Sequence, residues 1–261
     1  MKKFKHLLFV FSVIISATIL SACSFFKTGG FTEQINDITL YKMSANVKIA
    51  NTRTGYFPGG IKSDEKIGSG AIIAKDNDDY YYFLTNYHVV DIGEYSRQTL
   101  KITDYKGNTY QVESSGILLR DIDKDLALVK FYSSINLTLL KIEDDDLSVG
   151  DAVFSVGSPS GQINAVTVGG LLGKPEAPVV DGQSRLKDKD GNVLSVYCHD
   201  APIIGGSSGG MLLDENLNLV GINYAGAIGN DDEFVFGYSV PSKIVLEFLS
   251  KSSISEIVEI V

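Results

Sequence analysis

The chain has no tryptophan, only two cysteines and only three histidines among its 261 residues. Each scarcity removes possibilities. Two cysteines, Cys23 and Cys198, cannot build the disulfide framework on which many small exported folds depend, so stability has to come from an apolar core. Basic residues are outnumbered as well, 23 Lys and Arg against 32 Asp and Glu, for a net charge of −9. Such a surface repels nucleic acid and anionic lipid alike, and no nucleic-acid partner is expected. No internal repeat or low-complexity segment stands out. What remains is ordinary for a folded protein, with a hydrophobic fraction of 44%, 13 Tyr and 13 Phe.

The first two dozen residues are a separate object. Lys2, Lys3 and Lys5 precede the apolar run "LLFVFSVIISATIL", which is too short for a comfortable span and suits a secretory leader. It closes in Leu20-Ser21-Ala22-Cys23, which resembles the lipobox of a bacterial lipoprotein. Residues 1–22 are therefore expected to be a lipoprotein signal peptide, with Cys23 as the acylated first residue of the mature chain. More than one acyl chain gives stable anchoring to the lipid membrane. The expected location is the bacterial cell membrane, facing outside the cytoplasm. Residues 23–39 are expected to be a tether, and Cys198 is left without an intramolecular partner.

From about Leu40 the apolar runs are short and rich in β-branched and aromatic residues. They include "ANVKIANTR", "GSGAIIAKD", "YYYFLTN", "TLKIT", "TYQVES", "LALVKF", "DAVFSVGS", "INAVTVGGLLG", "VLSVYC", "GGMLL", "NLVGIN" and "FVFGYSV", many separated by Gly, Asn and Asp clusters. This spacing predicts a many-stranded antiparallel sandwich or barrel. Only "PSKIVLEFLSKS" reads as a helix, with Pro241 at its first position. Residues 40–250 are expected to form one domain and 251–261 a C-terminal tail. The hydrophilic "KDKDGN" loop at 187–192 lacks the closing acid of a calcium site, so no metal is expected there.

The stretch Ile203-Ile204-Gly205-Gly206-Ser207-Ser208-Gly209-Gly210 sets two serines among four glycines. A serine hydroxyl is a weak nucleophile that needs a base, in practice a histidine held by a carboxylate. His6 leaves with the leader, so His88 and His199 remain. Gly206 to Gly210 fits the G-x-S-x-G pattern of an α/β-hydrolase, but that fold needs a histidine after the serine, and none follows Ser208. The order His, Asp, Ser stays open, with Asp125 placed just before the apolar run "LALVKF".

The blocks "GSGAII", "LTNYHVV", "KDLALVKF", "VGDAVFSVGSPSG", "AVTVGGLLG", "HDAPIIGGSSGGML", "LNLVGINYA" and "FGYSVPS" follow one another over about residues 40–250. In that order they resemble the trypsin-like protease domain of the HtrA/Deg family. The resemblance implies an all-β fold of two six-stranded antiparallel barrels with a short C-terminal helix, and serine endopeptidase chemistry on protein or peptide substrates without a cofactor. His88 matches the general base, Asp125 the acid that orients it and Ser208 the nucleophile. The amides of Gly206 and Ser208 match the oxyanion hole. His199 reads as structural, Cys198 as a small buried hydrophobe, and the motif favours Ser208 over Ser207. Pocket walls are expected from Pro202, Ile203 and Ile204, from Asn223, Tyr224, Ala225 and Gly226, and from 237–239. These segments carry no acid to pair a basic P1 side chain, which points to an apolar P1 residue.

Two departures accompany the resemblance. Ile204-Gly205-Gly206-Ser207 stands where the family has Asn-Pro-Gly-Asn, which predicts a looser oxyanion loop that needs substrate or a partner to order it. That looseness keeps a silent protease-fold binding module at the cell surface as the alternative, with an esterase on the same fold as a second rival. About twenty residues follow Pro241, too few for the PDZ module many family members carry.

Overall fold

The computed structural model describes residues 30–179, 186–229, 233–257 and 259. The leader, Cys23 and the first part of the tether lie outside the described residues. The chain divides into residues 1–37, whose described part holds the short helix Thr32–Asp37, and a body from Ile38 onward. Among the described residues no helix is long and apolar enough to cross a membrane.

The body is built almost entirely from strands. Its first half holds β1 (Asn46–Phe57), β2 (Gly60–Lys75), β3 (Tyr80–Thr85), β4 (Arg97–Thr103), β5 (Thr109–Val112), β6 (Ile117–Asp121) and β7 (Leu126–Tyr132). They form one antiparallel sheet in the order β5-β4-β1-β2-β3-β7-β6. The second half holds β8 (Ala152–Gly157), β9 (Ala165–Gly173), β10 (Tyr197–His199), β11 (Met211–Leu213), β12 (Leu219–Ile228) and β13 (Phe234–Pro241). These close into a six-stranded barrel, β10-β13-β12-β11-β8-β9. The all-β, two-lobed architecture is the expected one. The first lobe differs in detail, with seven strands in an open sheet instead of six in a closed barrel.

Side-chain alternation explains how the lobes join. On β2, Ile72 faces an apolar cluster with Val47, Phe83 and Leu100 inside the first lobe. Its neighbours Ala71 and Ile73 face the other way, into a larger cluster shared with Phe154, Met211 and Val240 of the barrel. A strand buried on both faces, with the period of two that a pleat imposes, thus serves two cores at once. A third cluster around Val153, Tyr197, Leu212 and Val220 adds a further apolar layer to the barrel.

The other half of β2 is different. Pairing with β1 continues from Asn46↔Ala71 out to Phe57↔Gly60; β4 flanks β1 as far as Thr54↔Arg97, so only the tip beyond it, 55–57 with 60–62, is a two-stranded arm. The turn at its tip uses Gly59 and Gly60 at φ of +105° and +120°, a conformation in which a Cβ would be strained.

One turn design recurs four times. An aspartate Oδ1 accepts the amides two and four residues ahead: Asp76 from Asp78 and Tyr80, Asp104 from Lys106 and Asn108, Asp188 from Asp190 and Asn192, and Asp214 from Asn216 and Asn218. The first, second and fourth join β2 to β3, β4 to β5 and β11 to β12. Asp188 belongs to "KDKDGN", and its Oδ2 is engaged by Asn192 Nδ2 at 2.9 Å. At the other end of the chain, helix Ser242–Leu249 starts one residue later than the sequence suggests. Pro241 sits at its N-cap with extended backbone angles, because it still pairs with Gly221 on β12.

Candidate active site

His88 lies on a single helical turn, Tyr87–Val90, directly after β3. Asp125 lies just before β7, and β3 and β7 are neighbours in the sheet, paired from Thr85↔Ala127 onward. That pairing brings the two side chains together across 37 residues of sequence. Asp125 Oδ2 is 2.7 Å from His88 Nδ1, and Asp125 Oδ1 accepts the His88 backbone amide at 2.9 Å. A carboxylate in this position fixes the tautomer with hydrogen on Nδ1, leaving Nε2 as a base. Asp125 is 5% exposed and adopts φ of +49°. A left-handed backbone at an aspartate is a small strain, held here by Asn86 Nδ2 on the Asp125 carbonyl at 3.0 Å.

The His88 turn is too short to hold itself in place, and its carbonyls are capped from outside. Lys66 Nζ donates to His88 O, Asn51 Nδ2 to Val89 O and Gln98 Nε2 to Val90 O. Asp91 O receives Asn51 Nδ2 and Arg53 Nη1. Positive charge at a helix C-terminus is favourable. Burial, with the Arg53 charge adding to it, lowers the Lys66 pKa below the usual lysine value. Sequence reasoning missed these caps, because they are polar residues of three different strands, β1, β2 and β4, that meet the turn only in the folded sheet.

Ser208 comes from the second lobe, on the loop between β10 and β11. Its hydroxyl donates to Tyr224 O at a long 3.4 Å, which leaves it weakly held. Ser207 is 4% exposed, and its hydroxyl accepts the Ile204 amide at 3.4 Å. Ser207 N also donates to Ile204 O at 2.9 Å, closing a turn with Gly206 at φ of +97°. Ser160 N donates to Gly205 O at 2.7 Å, and Ser69 Oγ to Gly206 O at 2.8 Å. In a trans peptide the N–H points opposite to the C=O. With Gly205 O drawn towards Ser160, the Gly206 amide faces away from it. Neither the Gly206 nor the Ser208 amide meets a protein acceptor among the described residues. The loop is therefore pinned rather than loose, because two serines of neighbouring segments, Ser69 and Ser160, take over the work expected of Pro and Asn.

The sequence matches the trypsin-like peptidase domain over residues 68–222, a span that contains His88, Asp125 and Ser208. The chain belongs to the trypsin-like peptidase family. The peptidase is similar to the periplasmic serine endoprotease DegP of Escherichia coli (strain K12), with 31% identity over 186 residues, 71% of this chain and 35% of DegP. It is also similar to the magnetosome formation protease MamE of Paramagnetospirillum magneticum, at 34% identity over 182 residues, 69% of this chain and 23% of MamE. The chain thus spans about a third of the length of DegP. Among solved structures, the HtrA-type protease AlgW with a decapeptide shares the fold, with a TM-score of 0.65 at 21% identity, covering 83% of this chain and 65% of that one.

Residues expected to line a pocket in the peptidase fall into two groups. Ile204 is 45% exposed, and Pro202 and Gly226 are exposed as well. Ile203, Tyr224 and Ala225 are buried, and Ile203 O lies 2.6 Å from where a Cβ on Gly226 would sit. The Asn223 side chain is spent internally, with Nδ2 donating to Ser155 Oγ at 2.8 Å and Oδ1 accepting from Ser239 Oγ at 2.9 Å. His199 belongs to this buried group, its Nε2 3.0 Å from Ser239 Oγ and its Nδ1 3.1 Å from Ala201 O. It is fully buried, and its ring fills the space where any side chain on Gly237 would go. Cys198 next to it is buried too, and burial raises its thiol pKa.

Burial pushes His199 down to about 4. Its folded value is below the ordinary one, so the unfolded chain binds the extra proton first as pH falls. The stabilising contribution is complete above about pH 6.5 and is lost as pH drops through about 4, for a total of about 3 kcal/mol. Urea unfolding at pH 7, 5.5 and 4 should show this slope. His199→Gln should flatten that part of the curve, whatever its effect at pH 7.

Proposed function

We propose that this chain is an extracytoplasmic, membrane-tethered serine endopeptidase that works through His88, Asp125 and Ser208. The observation that carries this reading is the 2.7 Å contact of Asp125 with His88 Nδ1, in a peptidase fold whose Gly206 and Ser208 amides have no protein acceptor among the described residues. When a peptide enters, Ser208 leaves its long contact with Tyr224 O and turns to His88 Nε2. His88 takes the hydroxyl proton while Oγ adds to the scissile carbonyl, and Asp125 stabilises the imidazolium. The Gly206 and Ser208 amides receive the charge that develops on the carbonyl oxygen. His88 then gives its proton to the departing amine, leaving an acyl-enzyme on Ser208. Water activated by the same imidazole hydrolyses that ester and regenerates the hydroxyl. The pocket segments named above supply no charge for a basic or acidic P1 side chain, which supports an apolar P1 residue.

Labelling with a fluorophosphonate tests the reading. Wild type should label to completion, while Ser208→Ala and His88→Ala should not. Peptidyl phosphonates with Val, Arg or Glu at P1 should react fastest for Val. A folded wild type that stays unlabelled would point to the binding-module alternative. For the tether, Cys23→Ser should move the protein from the membrane fraction to the soluble one and abolish incorporation of radiolabelled palmitate. Unchanged fractionation would sink the lipid anchor.

A further inference from the structure

Ser69 is the second residue of "GSGAII" on β2, fully buried between the lobes. All three of its polar groups reach the loops around Ser208 or the strand beside it. Its amide donates to Ser208 O at 2.7 Å, and its carbonyl accepts Thr85 Oγ1 at 2.7 Å. Its hydroxyl does two things at once: it donates to Gly206 O at 2.8 Å and accepts Ser158 N at 2.8 Å. Ser158 begins the turn Pro159–Gly161, which supplies Ser160 N, the donor that holds Gly205 O. Ser160 itself stands at φ of +51°, so the turn has a fixed and slightly strained shape to present.

We infer that Ser69 is a positioning residue for the oxyanion hole, its one hydroxyl tying the 158–160 turn and the 205–207 loop into a single clamp. The inference rests on the function proposed above. The loop has no proline and two adjacent glycines, so nothing in its own sequence prevents its peptides from rotating. Two carbonyls must be held outward for the Gly206 amide to face the substrate. Ser160 N holds the first and Ser69 Oγ the second, and Ser69 also fixes the turn that carries Ser160. Without the Ser69 hydroxyl, Gly206 O and Ser158 N lose their partners together. A buried polar group without a partner is costly, and rotating Gly206 towards the cleft would let its carbonyl find water. That rotation would place a carbonyl oxygen where an amide hydrogen is needed. Ser69 touches no substrate, so it acts only through Gly206 and the Ser160 turn.

The test compares the second-order rate of fluorophosphonate inactivation in wild type, Ser69→Ala and Ser69→Cys, across pH, with the final labelled fraction and the thermal midpoint measured alongside. Losing an oxyanion donor slows acyl-transfer chemistry about 100-fold. Ser69→Ala should therefore fall about 100-fold at every pH, still label every molecule at completion, and keep the same acid-limb midpoint because His88 and Asp125 are undisturbed. Ser69→Cys, nearly the same size with a feeble donor, should fall between the two. A rate within threefold of wild type in either folded variant would overturn the inference. So would a reduced labelled fraction at an unchanged rate, or a moved acid limb, since both belong to a residue that only supports the fold. If neither variant folds, Ser69 is structural and the inference fails. An unlabelled wild type would instead count against the peptidase reading itself.

Discussion

Ser208→Ala should lower peptide turnover by about 10⁶-fold, His88→Ala by a similar factor, and the double variant by no more than either alone. The equality follows from the division of labour. In the proposed mechanism Ser208 Oγ is inert until His88 Nε2 takes its proton, and the base has nothing to act on once the hydroxyl is gone. What survives is the binding cleft and the oxyanion amides of Gly206 and Ser208. Asp125→Asn should cost less, about 10⁴-fold, for a reason specific to this site. Asp125 makes two bonds to His88, one to the backbone amide through Oδ1 and one to Nδ1 through Oδ2. An asparagine oxygen would keep the first, leaving its NH₂ against Nδ1. That forces the imidazole hydrogen onto Nε2, facing Ser208, where a lone pair is needed. Single-turnover kinetics on a peptide substrate, with thermal midpoints as a control, would check all four variants. A double variant far slower than either single one would mean that the two groups act independently.

Gly209→Ala should be the most damaging small change to stability, at about 4 kcal/mol. The residue follows Ser208 at φ of +84°. A Cβ there would sit 2.1 Å from Ser69 O, 2.2 Å from Thr85 Oγ1 and 3.1 Å from Thr85 Cα. None of these atoms is free to move, because Thr85 Oγ1 is itself bonded to Ser69 O and both residues are fully buried. The overlap and the left-handed backbone therefore add. Gly205, four positions earlier in the same loop, is the control. Nothing lies within 4 Å of a Cβ on it and its φ is not positive, so Gly205→Ala should change stability by less than about 1 kcal/mol. Urea midpoints of the two variants make the comparison. Equal losses would show that the loop tolerates or rejects bulk generally, and that the glycine clash is not the cause.

Much of the fold is legible in the sequence because its strands announce themselves by local pattern. "LALVKF" and "GSGAII" are nearly continuous apolar runs, and they become strands buried on both faces. β6, "ILLRD", escapes notice because it lies at a sheet edge with Leu118 38% exposed, so its composition is mixed. The tip of the β1–β2 hairpin, 55–57 with 60–62, escapes for the opposite reason: no third strand flanks it, and its composition looks like loop. At the candidate site, chemistry alone leaves the order His, Asp, Ser open, and it is the family resemblance that assigns it to His88, Asp125 and Ser208. What holds them is not legible. Ser69 reaches Gly206 across 137 residues of sequence, and Asn51 reaches Val89 across 38. The expectation of a loose loop fails at this point, since the loop's own sequence is flexible and its restraint lies elsewhere in the chain.

The recurring aspartate turn bears on how such a molecule assembles. Three of its four copies close hairpins, β2–β3, β4–β5 and β11–β12, with a span of five residues each. The Ser69–Gly206 contact must close a loop of 137 residues. Chain-closure entropy grows with the logarithm of loop length, which makes the long closure about 3 kcal/mol more demanding than the short ones. Hairpins are thus the cheap part of folding, and the union of the two lobes is the dear part. A partly folded chain would carry ordered turns and paired strands while Ser208 still lay apart from His88 and Asp125. On the proposed function, cutting ability therefore requires the long-range contacts that unite the lobes, and local hairpin formation is not enough for it.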